Sequence, residues 1–492
     1  MSMSPRARNA HTEPDLAKPG APSSCPSQPV GPAWEAPVFD RELLRKYDRS
    51  GPRYTSYPTA NLFHEGFSGS DYEALLHGSD REAPERPLSL YFHLPFCRTL
   101  CLFCACNVIW TKDQTRGDAY VDLLCREMDL VAQSISPGRK VTQLHWGGGT
   151  PTHSSAPVLE RLFAGIRDRF AFDEDPEMGV ELNPREMEPE HLEALARCGF
   201  KRASIGIQDF DPVVQAAVRR LQTESQTRSV VERCRALGFQ SVNVDLIYGL
   251  PLQTVRSFEA TIGSIVDLAP DRIALFNFAY LPQLIPHQRA IKAQMLPAPE
   301  VKLDILELAI ERFTNAGYVY IGMDHFARPD DELTRALADR TLTRNFQGYT
   351  TKGGCDLLAF GVSGISQVGP CYAQNHKEYP SYQALIEGGK LPTERGILLS
   401  RDDELRWDVI RRLMCHFVVV KPEIELLYGI DFDDYFADSL RSLESMASDA
   451  LVELAPDRIT VRPLGRLLVR NVAMAFDSYL PSAKQATFSR TV

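Results

Sequence analysis

From Leu88 onward short apolar runs alternate with helix-period segments, and this rhythm most restricts how the chain can fold. Six runs read as strands: Leu88–His93, Val141–Trp146, Met178–Leu182, Arg202–Gln208, Ser241–Ile247 and Arg272–Phe278. Between them lie helical patterns at Tyr120–Gln133, Pro157–Arg169, Glu188–Arg197, Glu224–Leu237 and Thr254–Leu268. Alternation on this scale predicts an α/β fold with a parallel sheet. Six repeats predict a partial (β/α)6 barrel rather than a closed eight-fold one. In such barrels functional groups collect at the C-terminal ends of the strands.

The flanks of this rhythm set the expected domain plan. Residues 1–38 hold eight prolines among small polar residues and are expected to be a disordered extension. Residues 39–87 form an N-terminal lid or substrate segment, 88–390 the barrel with elaborations, and 391–492 a small, mainly helical C-terminal domain. Residues 331–400 read as loop and helix. Beyond them, helices at Arg401–Phe417 and Asp434–Ser448, a hairpin at Leu451–Glu453 and Arg458–Val461, and a helix from Gly465 predict a winged-helix-like unit. The net charge of −10 argues against nucleic acid as its partner. No apolar run reaches the length of a membrane span, and the N-terminus lacks the apolar core of a secretory signal. Eleven cysteines without a disulfide-like framework suit a reducing cytoplasm.

The first strand runs into Cys97, Cys101 and Cys104, with Cys106 two residues on. Three thiolates at this CxxxCxxC spacing can hold three irons of a cubane cluster and leave the fourth open for chemistry. Structural zinc, with Cys106 as fourth ligand, and ordinary buried cysteines are the competing readings. The other strand ends carry further chemistry. The second leads into Gly147-Gly148-Gly149-Thr150-Pro151, a turn at which backbone can approach a ligand closely. The third ends at Glu181, the fourth at Gln208, and Asp245 lies inside the apolar fifth. A carboxylate in such a strand is costly unless paired, and Arg220 is a candidate partner. Recurrence at strand ends points to one shared ligand site.

Together these residues resemble the radical S-adenosylmethionine (SAM) enzymes, and within them oxygen-independent coproporphyrinogen III oxidase. The resemblance is carried by Gly51–Thr59, Tyr91–Cys97, Cys104–Asn107, Leu144–Thr152, Gly322–Asp331 and Asn345–Thr351, and runs from about residue 39 to the C-terminus. It implies that Cys97, Cys101 and Cys104 ligate a 4Fe–4S cluster whose open iron chelates SAM. It implies SAM contacts from Tyr91, Phe103, Gly148, Gly149, Thr150, Glu181, Gln208, Arg220, Asp245, Ala279 and Ile365, shared between two SAM molecules. The implied reaction is anaerobic oxidative decarboxylation of two propionates of coproporphyrinogen III to vinyls, giving protoporphyrinogen IX. A monomeric cytoplasmic enzyme is implied, with unidentified electron donor and acceptor. Two positions depart from the pattern: Ala105 stands where glycine is expected and Asn183 where aspartate is common.

Two assignments come from the residues themselves. Cys106 is expected to act near the substrate, because a fourth permanent thiolate would block the open iron. Arg53, His325, Arg328 and Arg344 are expected to clamp the substrate propionates. A haem chaperone of the same superfamily is the nearest alternative, and a non-enzymatic iron–sulfur carrier the alternative from another class. Cys106 and the Pro52–Thr59 segment speak against the chaperone, and the glycine turn with its strand-end carboxylates against the carrier.

Overall fold

A computed structural model of the protein describes residues 35–480 together with 488, 490 and 491. The expected extension lies outside the described residues as far as position 34, as does Cys25. Residues 35–38 are docked: Val38 N–H donates to Pro463 O at 3.2 Å.

The six expected strands form as β1 (Leu88–Leu94), β2 (Lys140–Gly148), β3 (Ala171–Leu182), β4 (Arg202–Gln208), β5 (Ser241–Tyr248) and β6 (Arg272–Asn277). They pair in sequence order and in parallel. The crossover helices are α1 (Thr115–Ala132), α2 (Ala156–Arg169), α3 (Pro189–Arg197), α4 (Glu224–Ala236) and α5 (Val255–Leu268). Thr223 and Thr254 start α4 and α5 with capping boxes that satisfy the first orphan amides. Along β1 the pleat sorts the side chains. Leu88, Leu90 and Phe92 are fully buried on one face, while Ser89, Tyr91 and His93 present polar groups on the other.

That polar face encloses a partial barrel whose two ends differ. At the N-terminal end Gln143 Nε2 donates to Glu177 Oε1 at 2.7 Å. There Arg202 pairs with Glu332 at 2.5 Å and Arg272 with Asp331 at 2.9 Å. These ion pairs close the β4–β6 side of that end, while a cavity of about 350 Å³ opens on the β1 side by Ser89, Thr350 and Asp356. The C-terminal ends of the strands line cavities as well.

Both edges of the parallel sheet are extended, to twelve strands in all. β7 (Val319–Gly322) and β8 (His325–Ala327) add antiparallel strands beside β6. On the other edge β9 (Asp356–Phe360) runs parallel to β1, with Leu88 opposite Asp356 and Phe92 opposite Phe360. β10 (Ile365–Val368), β11 (Cys371–Asn375) and β12 (Thr393–Leu398) continue antiparallel. This corrects the expectation of loop and helix over 331–400. The strands are short and β9 and β11 are buried along their whole length. They therefore lack the period-two pattern that marks a half-buried strand.

The C-terminal part holds α6 (Arg401–His416), β13 (Val418–Val420), α7 (Lys421–Tyr428), α8 (Ala437–Ser448), β14 (Val452–Leu454) and β15 (Arg458–Val461). The expected hairpin is joined by β13 into a three-stranded antiparallel sheet in the order β13-β15-β14. Helix α6 stops because Phe417 adopts φ 58°, a left-handed conformation that glycine usually supplies, so no glycine marks the boundary.

Candidate active site

The loop after β1 is stitched at its base. Ile109 N–H donates to Pro95 O at 2.7 Å and Thr111 N–H to Cys97 O at 2.9 Å. Its middle is pinned by Leu102, whose side chain enters an apolar cluster with Val214, Val218 and Leu250. This anchoring directs Cys97, Cys101, Cys104 and Cys106 into one cavity of about 350 Å³. The same cavity is bordered by Phe103, Gly148, Gly149, Thr150, Glu181, Gln208, Arg220 and Asp245. Most of the residues expected from five separate segments thus meet at one place, above the C-terminal strand ends.

The glycine turn is a tight fit. Gly148 has φ +107°, and a Cβ there would lie 2.6 Å from the His93 ring. A Cβ on Gly149 would lie 2.6 Å from the Pro95 carbonyl. The turn spends its amides internally: Gly148 N–H on Glu181 Oε2 (3.0 Å), Gly149 N–H on Leu94 O and Thr150 N–H on Phe96 O (both 2.8 Å). Acceptor oxygens, rather than donors, remain for a ligand, which suits an ammonium group. Burial pushes the Glu181 carboxyl up, but His145, 3.5 Å away, and the Gly148 amide outweigh it and hold the pKa below its ordinary value. Asp245 behaves oppositely: burial, then the neighbouring Glu181, pushes it up to about 6. Asn243 Nδ2 (2.8 Å) and Ser204 Oγ (3.1 Å) donate to its two oxygens.

Tyr91 and Ile365 border an adjoining cavity of about 240 Å³ that shares Glu181 and includes Phe346 and Gln347. Here His93 Nε2 donates to Asn107 O at 2.8 Å, so its Nδ1 accepts from Tyr91 OH at 3.1 Å. Burial lowers the His93 pKa and keeps this neutral tautomer. Tyr91 also stacks on His145 at 6.1 Å between centroids. Ala279 lies outside both linings. Its carbonyl accepts from Gln288 Nε2 (3.1 Å), which also donates to Phe103 O (3.3 Å), so Ala279 supports the cysteine loop through one side chain.

The residues fit an iron–sulfur cluster with a bound cofactor. Among the described residues no three His, Cys, Asp or Glu groups converge where one ion could sit; the thiols line a cavity instead. A cubane needs that spread, since each thiolate serves a different iron. Burial pushes the Cys97 thiol up to about 12 without metal, so metal binding must drive its deprotonation. Cys101 Sγ is met by Arg185 Nη2 at 3.2 Å and Arg220 Nη1 at 3.7 Å, two donors on one sulfur. Buried Gln208 Oε1 and Arg220 Nε have no partner, an acceptor and a donor left over at the cavity wall. Gln208 also holds φ +71°, a strained conformation of the kind that gathers at ligand sites. Cys106 is exposed in the cavity lining. It shares its thiol proton with Cys104, a bond that favours the Cys104 thiolate and raises the pKa of Cys106.

Arg53 and His325 stand beside this cavity through Phe276, and Arg344, next to them, lines a separate cavity with Ser89, Thr350 and Asp356. Arg53 pairs with Asp324 and lies 5.7 Å from the centroid of Phe276, a cavity-lining ring. His325 stands edge-on to Phe276 (6.0 Å) and Tyr349 (5.3 Å), and Arg344 lies over Tyr349 at 4.8 Å. Arg344 is 5% exposed, and its Nε and Nη1 are buried without an acceptor, as is His325 Nδ1 without a partner. Arg328 is elsewhere: its guanidinium donates to Pro270 O (3.3 Å) and Ala269 O (3.4 Å), closing the C-terminus of α5. Of the two departures, Asn183 Oδ1 accepts from Arg185 Nε at 3.2 Å, a role that needs only an acceptor. Ala105 has no positive φ and so makes no demand for glycine.

His93, His145 and Arg185 belong to the site without having been singled out from the sequence. The signal for the histidines was present. Period two places His93 with Tyr91 on β1, and His145 with Gly147 on β2, facing the same interior.

Comparison with known proteins agrees with this geometry. Residues 91–265 match the Radical SAM superfamily. The chain is 47% identical over 456 residues to the oxygen-independent coproporphyrinogen III oxidase of Pseudomonas aeruginosa, covering 92% of this chain and 99% of that protein. It is also 47% identical over 456 residues to the Escherichia coli protein of that name, covering 92% and 98%. A solved structure of Escherichia coli coproporphyrinogen III oxidase, described as a radical SAM enzyme, superposes with a TM-score of 0.86 at 46% identity, covering 91% of this chain and all of that one. With the cysteine loop, glycine turn and strand-end carboxylates gathered on a partial barrel, the chain belongs to the oxygen-independent coproporphyrinogen III oxidase family of radical SAM enzymes.

Proposed function

We propose that this protein oxidatively decarboxylates two propionates of coproporphyrinogen III to vinyl groups, yielding protoporphyrinogen IX without oxygen. The observation that carries it is the convergence of Cys97, Cys101, Cys104, Gly148, Glu181 and Asp245 on one cavity, in a chain so similar to enzymes of that name. The cluster, when bound, supplies the electron that cleaves SAM, and SAM supplies the hydrogen-abstracting species.

The chain's own residues bind and orient. Cys97, Cys101 and Cys104 hold the cluster, and Arg185 and Arg220 brace the Cys101 sulfur. Ionised Glu181 and the glycine turn receive the ammonium of SAM, while Asp245, Gln208 and Arg220 offer the remaining polar contacts of the wall. A second SAM takes the adjoining cavity of Tyr91, Phe346, Gln347 and Ile365, with Glu181 serving both. Cys106, facing the cavity without serving as a ligand, acts in hydrogen or electron transfer at the substrate. Arg344, with His325 and Arg53 beside it, receives a substrate propionate, since a buried guanidinium with two nitrogens lacking an acceptor is otherwise a standing cost.

Among the described residues no helix is long and apolar enough to cross a membrane. The free cysteines suit a cytoplasmic monomer working in a reducing compartment. The test is anaerobic incubation of the iron-reconstituted protein with SAM, a reductant and coproporphyrinogen III, followed by porphyrin analysis. Protoporphyrinogen is the expected product; SAM cleavage with untouched substrate would reject the assignment.

A further inference from the structure

We propose that the surface over Cys101, formed by Arg98, Trp110, Arg185, Arg219 and Leu221, is the docking face for an acidic one-electron carrier protein. The proposal rests on the iron–sulfur reading above, since that centre is what the carrier would reduce. The carrier loses one electron and the cluster gains it.

Hydrogen bonds trace the face from end to end. Trp110 Nε1 donates to Arg98 O at 2.8 Å. Arg98 N–H donates at 2.9 Å to Glu186, the residue after Arg185. Arg185 Nη1 then reaches Arg219 O at 3.4 Å, two residues before Leu221. The other end of the same guanidinium, Nη2, lies 3.2 Å from Cys101 Sγ. A single side chain therefore spans from a cluster-ligand sulfur to the solvent-facing edge of the protein. Electron transfer weakens steeply with distance, and a carrier seated on this edge has one side chain between it and that sulfur.

The chemistry of the face is unlike the rest of the chain. The net charge is −10, yet Arg98, Arg185 and Arg219 cluster here. Neither the Arg98 nor the Arg219 guanidinium is engaged in an ion pair or hydrogen bond with another described residue. Glu186, beneath the face, is buried and spends its oxygens on Arg98 N–H and Thr99 Oγ1. Asp211 spends Oδ1 on the amides that start the neighbouring helix. Apolar side chains stand among the arginines: Trp110 is 62% exposed and Leu221 65%. Exposed apolar groups beside arginines without an ion-pair partner mark a protein interaction site. The complementary partner is acidic, with its own redox group near an apolar rim.

The test follows anaerobic bleaching of the cluster's visible absorbance in the reconstituted full chain. Reduced flavodoxin, an acidic flavin protein, is one reductant and dithionite the other. The double variant Arg98→Glu with Arg219→Glu is expected to slow reduction by flavodoxin about 10-fold or more at low salt. Added salt should slow the wild type towards the variant. Iron content and reduction by dithionite should not change. Leu221→Glu, outside the cofactor cavity, should slow flavodoxin in the same way and serves if the double variant loads iron poorly. Wild-type rates with flavodoxin in these variants would overturn the docking face. A wild-type protein that binds no cluster, or one that dithionite cannot reduce, would overturn the iron–sulfur reading itself.

Discussion

The amide of Gly148 donates to Glu181 Oε2 across 3.0 Å, tying the end of β2 to the end of β3. This bond fixes one carboxylate on the border of two cavities, with His145 3.5 Å from its other oxygen. Glutamine at 181 would still accept from Gly148 but would carry no charge. Glu181→Gln is therefore expected to load iron normally and bind SAM about 10- to 100-fold more weakly, ~1.4–3 kcal/mol for a lost charge-assisted contact. Equilibrium binding beside an iron assay checks it; unchanged SAM affinity would remove Glu181 from the ligand shell.

Cys97→Ser, Cys101→Ser and Cys104→Ser should each lose the intact cluster and SAM cleavage. A cubane held by three thiolates has none to spare. Iron content, visible absorbance and 5′-deoxyadenosine formation are the measurements. Normal values in any one variant would reassign that cysteine.

Cys106→Ser should separate cofactor from substrate chemistry. Cys106 lines the cavity beside Cys104 but is not one of the three expected ligands. The variant is expected to keep cluster and SAM binding and lose most conversion to protoporphyrinogen. Wild-type turnover would reduce the residue to packing, and loss of iron would make it a ligand.

The raised pKa of Asp245 makes a stability prediction with a definite sign. Folding lifts this acid to about 6, so the native state prefers it protonated. The cost of ionising it grows as pH climbs from roughly 4, the unfolded value, and is complete above the folded pKa. Asp245→Asn should therefore stabilise the cofactor-free protein at pH 7.5 by ~1–3 kcal/mol. The gain should fade as pH drops towards about 4, the unfolded value. Denaturant titrations at several pH values measure it, and SAM binding by the same variant should weaken. Destabilisation at pH 7.5 would show that the hydrogen bonds from Asn243 and Ser204 outweigh the cost of burying the charge.

Arg344→Gln should raise KM for the porphyrinogen about 10- to 100-fold, ~1.4–3 kcal/mol for a charged hydrogen bond, without altering SAM affinity. The motive is a guanidinium with two buried, unpartnered nitrogens next to His325 and Arg53. Steady-state kinetics with a parallel SAM titration decides. Unchanged KM, with lower thermal stability alone, would leave Arg344 a packing residue.

Local pattern in the sequence determined the six parallel strands and their crossover helices, and placed several residues of the cysteine cavity at their ends. Each of those strands carries its own alternation or apolar run, and Cys97, Gly148, Glu181, Gln208 and Asp245 each lie in or just beyond one. A barrel gathers such positions at one end, so strand identity was enough to group them. Tertiary structure alone decided the strands β9–β12. Asp356–Phe360 is buried throughout and owes its place to pairing with β1, more than 250 residues earlier in the chain. It also decided which cations matter. Arg328 and Arg344 look alike as sequence, but one is consumed by the carbonyls of Pro270 and Ala269 while the other is buried with open donors. Charge and type are local properties of a residue, whereas the partners that satisfy it are supplied by whatever the fold packs against it.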